Sequence, residues 1–279
     1  MSTVTQQSSE VTVKSVSFGG VLSSEWIKFL SLRSTWWTLG TMIIFSLGLS
    51  ALGATVLSDN LGVDLPSTSH VHFAVSNATS GIAFAGLIAA VLGVLLISGE
   101  YSTGMIRSTF TAVPKRTQAL VAKAIILFAV LVVSGAVIIF GGFLLTVAVF
   151  ESHGFAVSLA DDGVLAALLG GVVYLALIGV MSYGLGAIVR NTAAGISLSV
   201  GILLVVPVLL GFLAQVSDWV EVLVAWLPSS VGNVISTLPI EMVDSSAARM
   251  EYWQALLIMI GWALVTVIPA LVLIKRRDV

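Results

Sequence analysis

Six stretches of this chain, about 36–57, 81–98, 124–150, 164–189, 193–214 and 253–274, contain no Asp, Glu, Lys or Arg at all. Crossing the hydrocarbon core of a bilayer as a helix takes roughly 20 apolar residues. Lipid offers no hydrogen-bond partners, so every backbone N–H and C=O in such a run must be satisfied internally, which dictates helices. A membrane β-barrel would instead show short segments of alternating polarity. Composition points the same way: 58% of the 279 residues are hydrophobic and 9% are charged, against about 25% charged in a soluble domain. A water-soluble fold of this size has too little polar surface to cover that much apolar material. The expected fold class is an all-α integral membrane protein with about six transmembrane helices. The third and fourth runs exceed the hydrocarbon thickness and are expected to tilt or project. Pro207 and Pro269 fall inside the fifth and sixth runs, where each should kink its helix or end its regular part.

Basic residues set the expected orientation. Lys14, Lys28 and Arg33 precede the first run; Arg107, Lys115, Arg116 and Lys123 lie between the second and third; Arg190 separates the fourth and fifth; Lys275, Arg276 and Arg277 follow the sixth. That places eleven of the twelve basic residues on one side, with Arg249 alone on the other. The opposite loops carry Asp59, Asp64, Glu151, Asp161, Asp162, Asp218, Glu221, Glu241, Asp244 and Glu251. Both ends are therefore expected in the cytoplasm. The polar leader and the length of the first run predict a retained helix rather than a cleaved signal. Residues 1–17 read as a disordered leader. Residues 18–35 read as an amphipathic interfacial helix whose apolar stripe is Val21, Leu22, Trp26, Phe29 and Leu30, with Glu25, Lys28 and Arg33 largely off it. Residues 36–279 form the transmembrane domain. Within it, the external segment 215–252 is too long for a turn and too mixed to span; Val220 to Leu227 predict a short interfacial or re-entrant helix closed by Pro228.

Several function classes can be set aside. The chain has no Cys, so thiolate chemistry is excluded, and a net charge of −2 argues against nucleic acid. His70, His72 and His153 all sit in external loops, leaving no intramembrane base for serine proteolysis. His70 and His72 with Asp64 make a poor metal set without a fixed scaffold. The sequence has no G-x-x-x-x-G-K-[ST] loop, so ATP is not hydrolysed here by that route. Ion-coupled carriers usually place ionisable groups inside their spans. Here the interior polar groups are hydroxyls such as Ser46, Ser134, Thr146, Ser182, Tyr183 and Ser197. No catalytic, cofactor-binding or metal-binding residue is expected. Gly81, Ala85, Ala89 and Gly93, four apart, offer a groove for a close helix neighbour, either within the chain or across a dimer seam. After the second run, Glu100, Tyr101, Ser102, Thr103, Gly104, Met105, Ile106 and Arg107 lead through a mixed segment to Pro114, Lys115 and Arg116. A positively charged loop accounts for the charges but not for the length or the amphipathic character.

Three places resemble a known family. They are Ser24-Glu25-Trp26-Ile27-Lys28 with Leu32 to Thr38, then Glu100 to Arg107 with Val113-Pro114-Lys115-Arg116, then Gly184 to Ala194; the closing Lys275-Arg276-Arg277-Asp278 also fits. Together they resemble the permease subunits of ABC-2 type ABC transporters, specifically the small bacterial six-helix members. Lys28-Phe29 stands where a Lys-Leu pair is common. The resemblance implies a bacterial plasma-membrane exporter of a drug, peptide antibiotic or lipid. Glu25, Trp26, Lys28 and Arg33 would belong to a connecting helix, and Glu100 to Arg116 to a coupling segment on a separate ATP-binding subunit, Glu100 pairing with a base such as Arg107 or with a partner residue. ATP and Mg would be bound by that partner, and a second permease chain would complete the path. A membrane scaffold or sensor coupled to an ATPase without moving a solute would use the same loop.

Overall fold

The computed structural model describes residues 17–60, 67–112, 116–238 and 250–276, and all the regular structure among them is helical. The elements are α1 (Phe18–Ser31), α2 (Arg33–Asn60), α3 (Ser67–Ala78), α4 (Ile82–Thr103), α5 (Met105–Ala112), α6 (Arg116–Ser152), α7 (Val164–Val189) and α8 (Thr192–Val200). A π-helical turn (Gly201–Val205) then leads into α9 (Val206–Ala214), α10 (Asp218–Ala225), α11 (Pro228–Ser236) and α12 (Tyr252–Arg276). Six segments are long and apolar enough to cross a membrane: Arg33–Ser58, Ser69–Thr103, Arg116–Ser152, Val164–Val189, Thr192–Ala214 and Tyr252–Arg276. Their outward faces carry large apolar side chains such as Ile44, Leu52, Val133, Leu144, Phe212 and Val265. Such a surface is compatible with a multi-pass membrane protein, whose outer solvent is lipid.

Helix α7 is the centre of the bundle, with α4, α6, α11 and α12 around it. Small residues set these distances. A Cβ on Gly93 of α4 would overlap the Gly179 carbonyl oxygen of α7, so the two backbones touch there. Ala85 and Ala89 are fully buried, and a Cβ on Gly81 would come within 2.7 Å of Ser46 Cβ in α2. The groove made by Gly81, Ala85, Ala89 and Gly93 is thus occupied by the chain's own α2 and α7. Helix α11 presses on α7 in the same way, because a Cβ on Gly170 would overlap the Ile235 carbonyl oxygen. Helix α12 runs parallel to α7: Tyr252 Oη donates to Ala166 O at 3.2 Å near one end, and Thr266 lies against Gly184 near the other.

Several hydroxyls inside the apolar helices bond carbonyls of their own helix. Ser134 Oγ donates to Val130 O and Thr146 Oγ1 to Gly142 O, both at 2.8 Å. One carboxamide binds three helices: Asn77 Nδ2 of α3 donates to Ser50 O of α2 at 2.9 Å and to Thr146 Oγ1 of α6 at 2.8 Å.

The boundaries depart in part from the sequence reading. Helix α1 ends at Ser31, and Leu32, extended at φ −81° and ψ 106°, separates it from α2, so the first span begins at Arg33 and not at 36. The second span starts well before Gly81, as α3, and is interrupted by a turn at 79–81. The third begins at Arg116, which brings Lys123 inside the helix. In the fifth, a π turn interrupts the α-helix just before Pro207, whose ring leaves no N–H to bond the turn behind it, so the regular part breaks there as expected; in the sixth, α12 continues through Pro269. In the external segment, Pro228 opens α11 as well as ending the break after α10, and the two helices meet at 64°. Residues 1–16 of the leader, along with Pro114 and Lys115, lie outside the described residues.

The α4–α7 contact gives a prediction. Gly93→Ile should destabilise the protein by about 1–3 kcal/mol or more by overpacking. Gly48→Ala, at a position in α2 where an added Cβ meets nothing within 4 Å, should leave thermal melting in detergent unchanged or slightly raised.

Candidate functional site: a buried charge cluster

Among the described residues, the basic side chains gather at one end of the bundle. Four charged side chains from three helices meet there. Lys123 of α6 donates from Nζ to Glu25 Oε2 of α1 at 2.5 Å and to Glu100 Oε1 of α4 at 2.8 Å. Lys28, one turn after Glu25 on α1, lies 2.7 Å from Glu25 Oε1 and 3.7 Å from Glu100 Oε1. The result is a closed ring of alternating sign and zero net charge. Glu25, Glu100 and Lys123 are 3%, 8% and 4% exposed, so water screens their attraction very little. Lys28 is half-buried and is the ring's contact with solvent.

Local sequence explains how each group arrives. Ser17 caps α1, its Oγ accepting from Gly20 N at 3.2 Å. Val21, Glu25 and Phe29, at intervals of four, then form the buried face of α1. Val21 packs on Ala119 and Ala122 of α6, whose small size lets α1 approach. The bundle-facing stripe thus includes Glu25, which the sequence reading set largely off the apolar stripe, while Trp26 and Leu30 are exposed within the chain with Ile27. The ring makes this burial tolerable, since an unpaired carboxylate there would be prohibitive. Arg33 is exposed at the start of α2.

Glu100 belongs to the last turn of α4 rather than to a loop, and its partner is Lys123, not Arg107. Gly104 ends α4 at φ +74°, a left-handed conformation that glycine adopts without strain. The chain re-enters a helix at once as α5, whose Ile106 and Thr109 face inward while Ser102, Thr103, Met105 and Arg107 are exposed. Lys28 Nζ donates to Thr109 Oγ1 at 3.2 Å, fastening α5 to α1. The Arg116 guanidinium lies 5.6 Å from the centre of the Phe110 ring.

The turn between α7 and α8 completes this end. Arg190 is left-handed (φ 57°), its N–H donating to Gly186 O at 2.9 Å, and its guanidinium lies 5.1 Å from the centre of the Tyr101 ring. Asn191 caps α8 by accepting from Ala194 N at 3.0 Å, and Thr192 Oγ1 donates to Ser98 Oγ at 3.0 Å. Beneath the ring, the fully buried Tyr183 of α7 donates from its hydroxyl to Leu120 O at 3.0 Å.

Three segments distant in sequence, around Glu25, Glu100 and Arg190, thus converge. Sequence reasoning missed Lys123 and Tyr183 as members of the site. The available signal was Lys123 itself, a lone charge directly against a long apolar run. The histidines are elsewhere: His70 packs on Phe155 with ring centres 4.4 Å apart, and His72 Nε2 lies 3.2 Å from Ser76 Oγ. Asp64 lies outside the described residues, among which no group of three or more His, Asp or Glu side chains is placed to hold a metal.

The ring's energetics can be tested. Removing one member of a buried ion pair costs about 3–5 kcal/mol, because the other is left uncompensated. Lys123→Met should lower the melting temperature far more than Lys28→Met, whose site opens to water. Acid should act through Glu25. Burial alone would push its carboxyl up, but Lys123 and then Lys28 more than offset this and hold it below the ordinary 4.5. A depressed folded value contributes stability that is present above the unfolded value and lost as pH falls through the folded one. Melting temperature should therefore fall below the ordinary carboxylate range, and Glu25→Gln should start lower at neutral pH and lose less on acidification.

No family model matches the chain, and no curated protein matches it either, so the reading of this site rests on its own geometry and on the residues quoted above.

Proposed function

We propose that the chain is the membrane-spanning permease subunit of an ATP-driven ABC-2 type transporter of the bacterial plasma membrane. Its ends would be cytoplasmic, and it would export a hydrophobic or amphipathic solute. The observation that carries this reading is the buried ring of Glu25, Lys28, Glu100 and Lys123, which joins α1, α4 and α6 into one unit and carries α5 on its edge. A machine driven from outside needs a stiff handle connected to the spans. Here α4 and α6 are themselves spans, continuing from the ring for most of the bundle's depth. Force applied to α5 would pass through the ring into both as a tilt, without bending either helix. The exposed side chains of α5 and of the turn before it, Ser102, Thr103, Met105, Arg107 and Ser108, are free within the chain to meet a docking subunit.

Charge distribution supports the orientation. Lys28, Arg116, Lys123, Arg190, Lys275 and Arg276 all lie at the ring's end of the bundle, while Glu151, Asp161, Asp162 and Glu251 lie at the other. Positive ends stay cytoplasmic. ATP and Mg would be held by the partner, and a second permease chain would complete the transport path.

The test is purification of the tagged protein from mild detergent with mass spectrometry of co-purifying chains. An ATP-binding subunit should be recovered, and Met105→Ala with Arg107→Ala should weaken its recovery at least about tenfold, as loss of two interface anchors does. Because both residues are exposed, the variant should melt like the wild type. Absence of any ATPase from well-folded protein would overturn the proposal. Recovery of an ATPase with nucleotide-linked conformational change but no solute flux would replace the permease with a sensor.

A further inference from the structure

A cavity of about 350 Å³ lies in the half of the bundle away from the charge ring. Ile82 on its wall is about 27 Å from Glu100 along α4, at 1.5 Å per residue. Two breaks in regular helix and the short helix α11 meet around it. Thr79 and Ser80 come from the turn that interrupts the second span, and Leu203 and Leu204 from the π turn that interrupts the fifth. Ser229, Asn233 and Thr237 come from the bent α10–α11 pair. Broken helices at membrane depth are tolerated where they line a cavity, and π turns cluster at functional sites.

The lining has a definite chemistry. It contains hydroxyls and one carboxamide, and no Asp, Glu, Lys, Arg or His. Thr79 Oγ1, Ser236 Oγ and Thr237 Oγ1 each donate their proton to a carbonyl of their own helix, at 2.9, 2.7 and 2.6 Å, and so present lone pairs. Ser229 Oγ is buried without a hydrogen-bond partner, and the exposed Asn233 can both give and take. A charged ligand would find no counter-ion here and would lose its hydration. A ligand with hydroxyl groups would satisfy acceptors and donors alike. Apolar Leu203 and Leu204, the latter about half exposed, form the side that opens outward.

We infer that this cavity binds the head group of an uncharged, hydroxyl-bearing amphiphile whose alkyl chain leaves past Leu203 and Leu204. Its size is at the lower end of the roughly 300–1,000 Å³ of small-molecule sites. In using the site for transport, the inference rests on the permease reading; the binding itself does not.

The test uses the full chain in phosphatidylcholine nanodiscs. The probe is a monoacylglycerol with a photoactivatable diazirine in its acyl chain, run beside a fatty acid carrying the same chain. Peptides covering 200–212 should be labelled saturably by the monoacylglycerol. The fatty acid should label them at least about tenfold less, the worth of a lost buried hydrogen bond or two. Gly86→Leu fills the cavity, since a Cβ there meets nothing within 4 Å, and Asn233→Leu removes the exposed carboxamide. Both should cut labelling by a similar factor while melting like the wild type; if Gly86→Leu melts early, Asn233→Leu alone decides. Equal labelling by the two probes, labelling that does not saturate, or labelling unchanged in Asn233→Leu would overturn the site and leave a hydrated gap. Labelling with no co-purifying ATPase would keep the site and remove its transport role; an ATPase without labelling would do the reverse.

Discussion

The ammonium group of Lys123 bonds one oxygen of each of two carboxylates that approach it from different helices, and the arrangement at that end of the molecule depends on it. Without it, Glu25 would lose its buried partner on the inward face of α1, leaving the packing of Val21 on Ala119 and Ala122 to hold that face against α6. Glu100 would be a buried anion in the last turn of α4, where the exposed carbonyls of a helix end already disfavour negative charge. Lys28 adds the second cation that brings the group to neutrality and, through Thr109, reaches α5. Buried ion pairs contribute little net stability compared with well-packed apolar groups. What this one contributes is specificity: it accepts only one register of α1 on α6 and α4.

Further into the bundle the organising principle changes from charge to close approach. Among apolar helices in lipid the hydrophobic effect gives no preference for one partner over another, so small residues and a few interhelical hydrogen bonds decide which surfaces meet. Gly93 with Gly179, Gly170 with Ile235, and Asn77 between Ser50 and Thr146 are such decisions. They hold α7 at the centre. They leave the π turn and α9 at the periphery, where none of their side chains is buried.

The six spans were legible because long uncharged apolar runs have one solution in lipid. Their ends were less so, because a helix continues past the apolar run wherever its charges find partners: α6 begins at Arg116 and carries Lys123 inside it, and α4 extends to Thr103 with Glu100 in its last turn. The buried place of Glu25 on α1 was hidden for a related reason. It is charged yet faces the bundle with Val21 and Phe29, which no hydrophobic pattern reveals because it depends on residues about 75 and 98 positions away. Glu25, Glu100 and Arg190 stood in segments singled out from sequence, but their meeting at one place is a property of the packing. The second half of the external segment, α11, was missed because Pro228 both ends one helix and is a favourable first residue for the next.

The way the ring divides among the helices has a mechanical consequence. Glu25 and Lys28 both belong to α1, and Glu100 and Lys123 both belong to the α4–α6 pair. If α1 lifts from the bundle, each side keeps one acid and one base, and neither newly exposed surface carries net charge. A latch with its two signs on opposite faces would have to hydrate a bare cation and a bare anion every time it opened. Parting here would leave two neutral halves, so the ring holds α1 in register without building an isolated charge into either face.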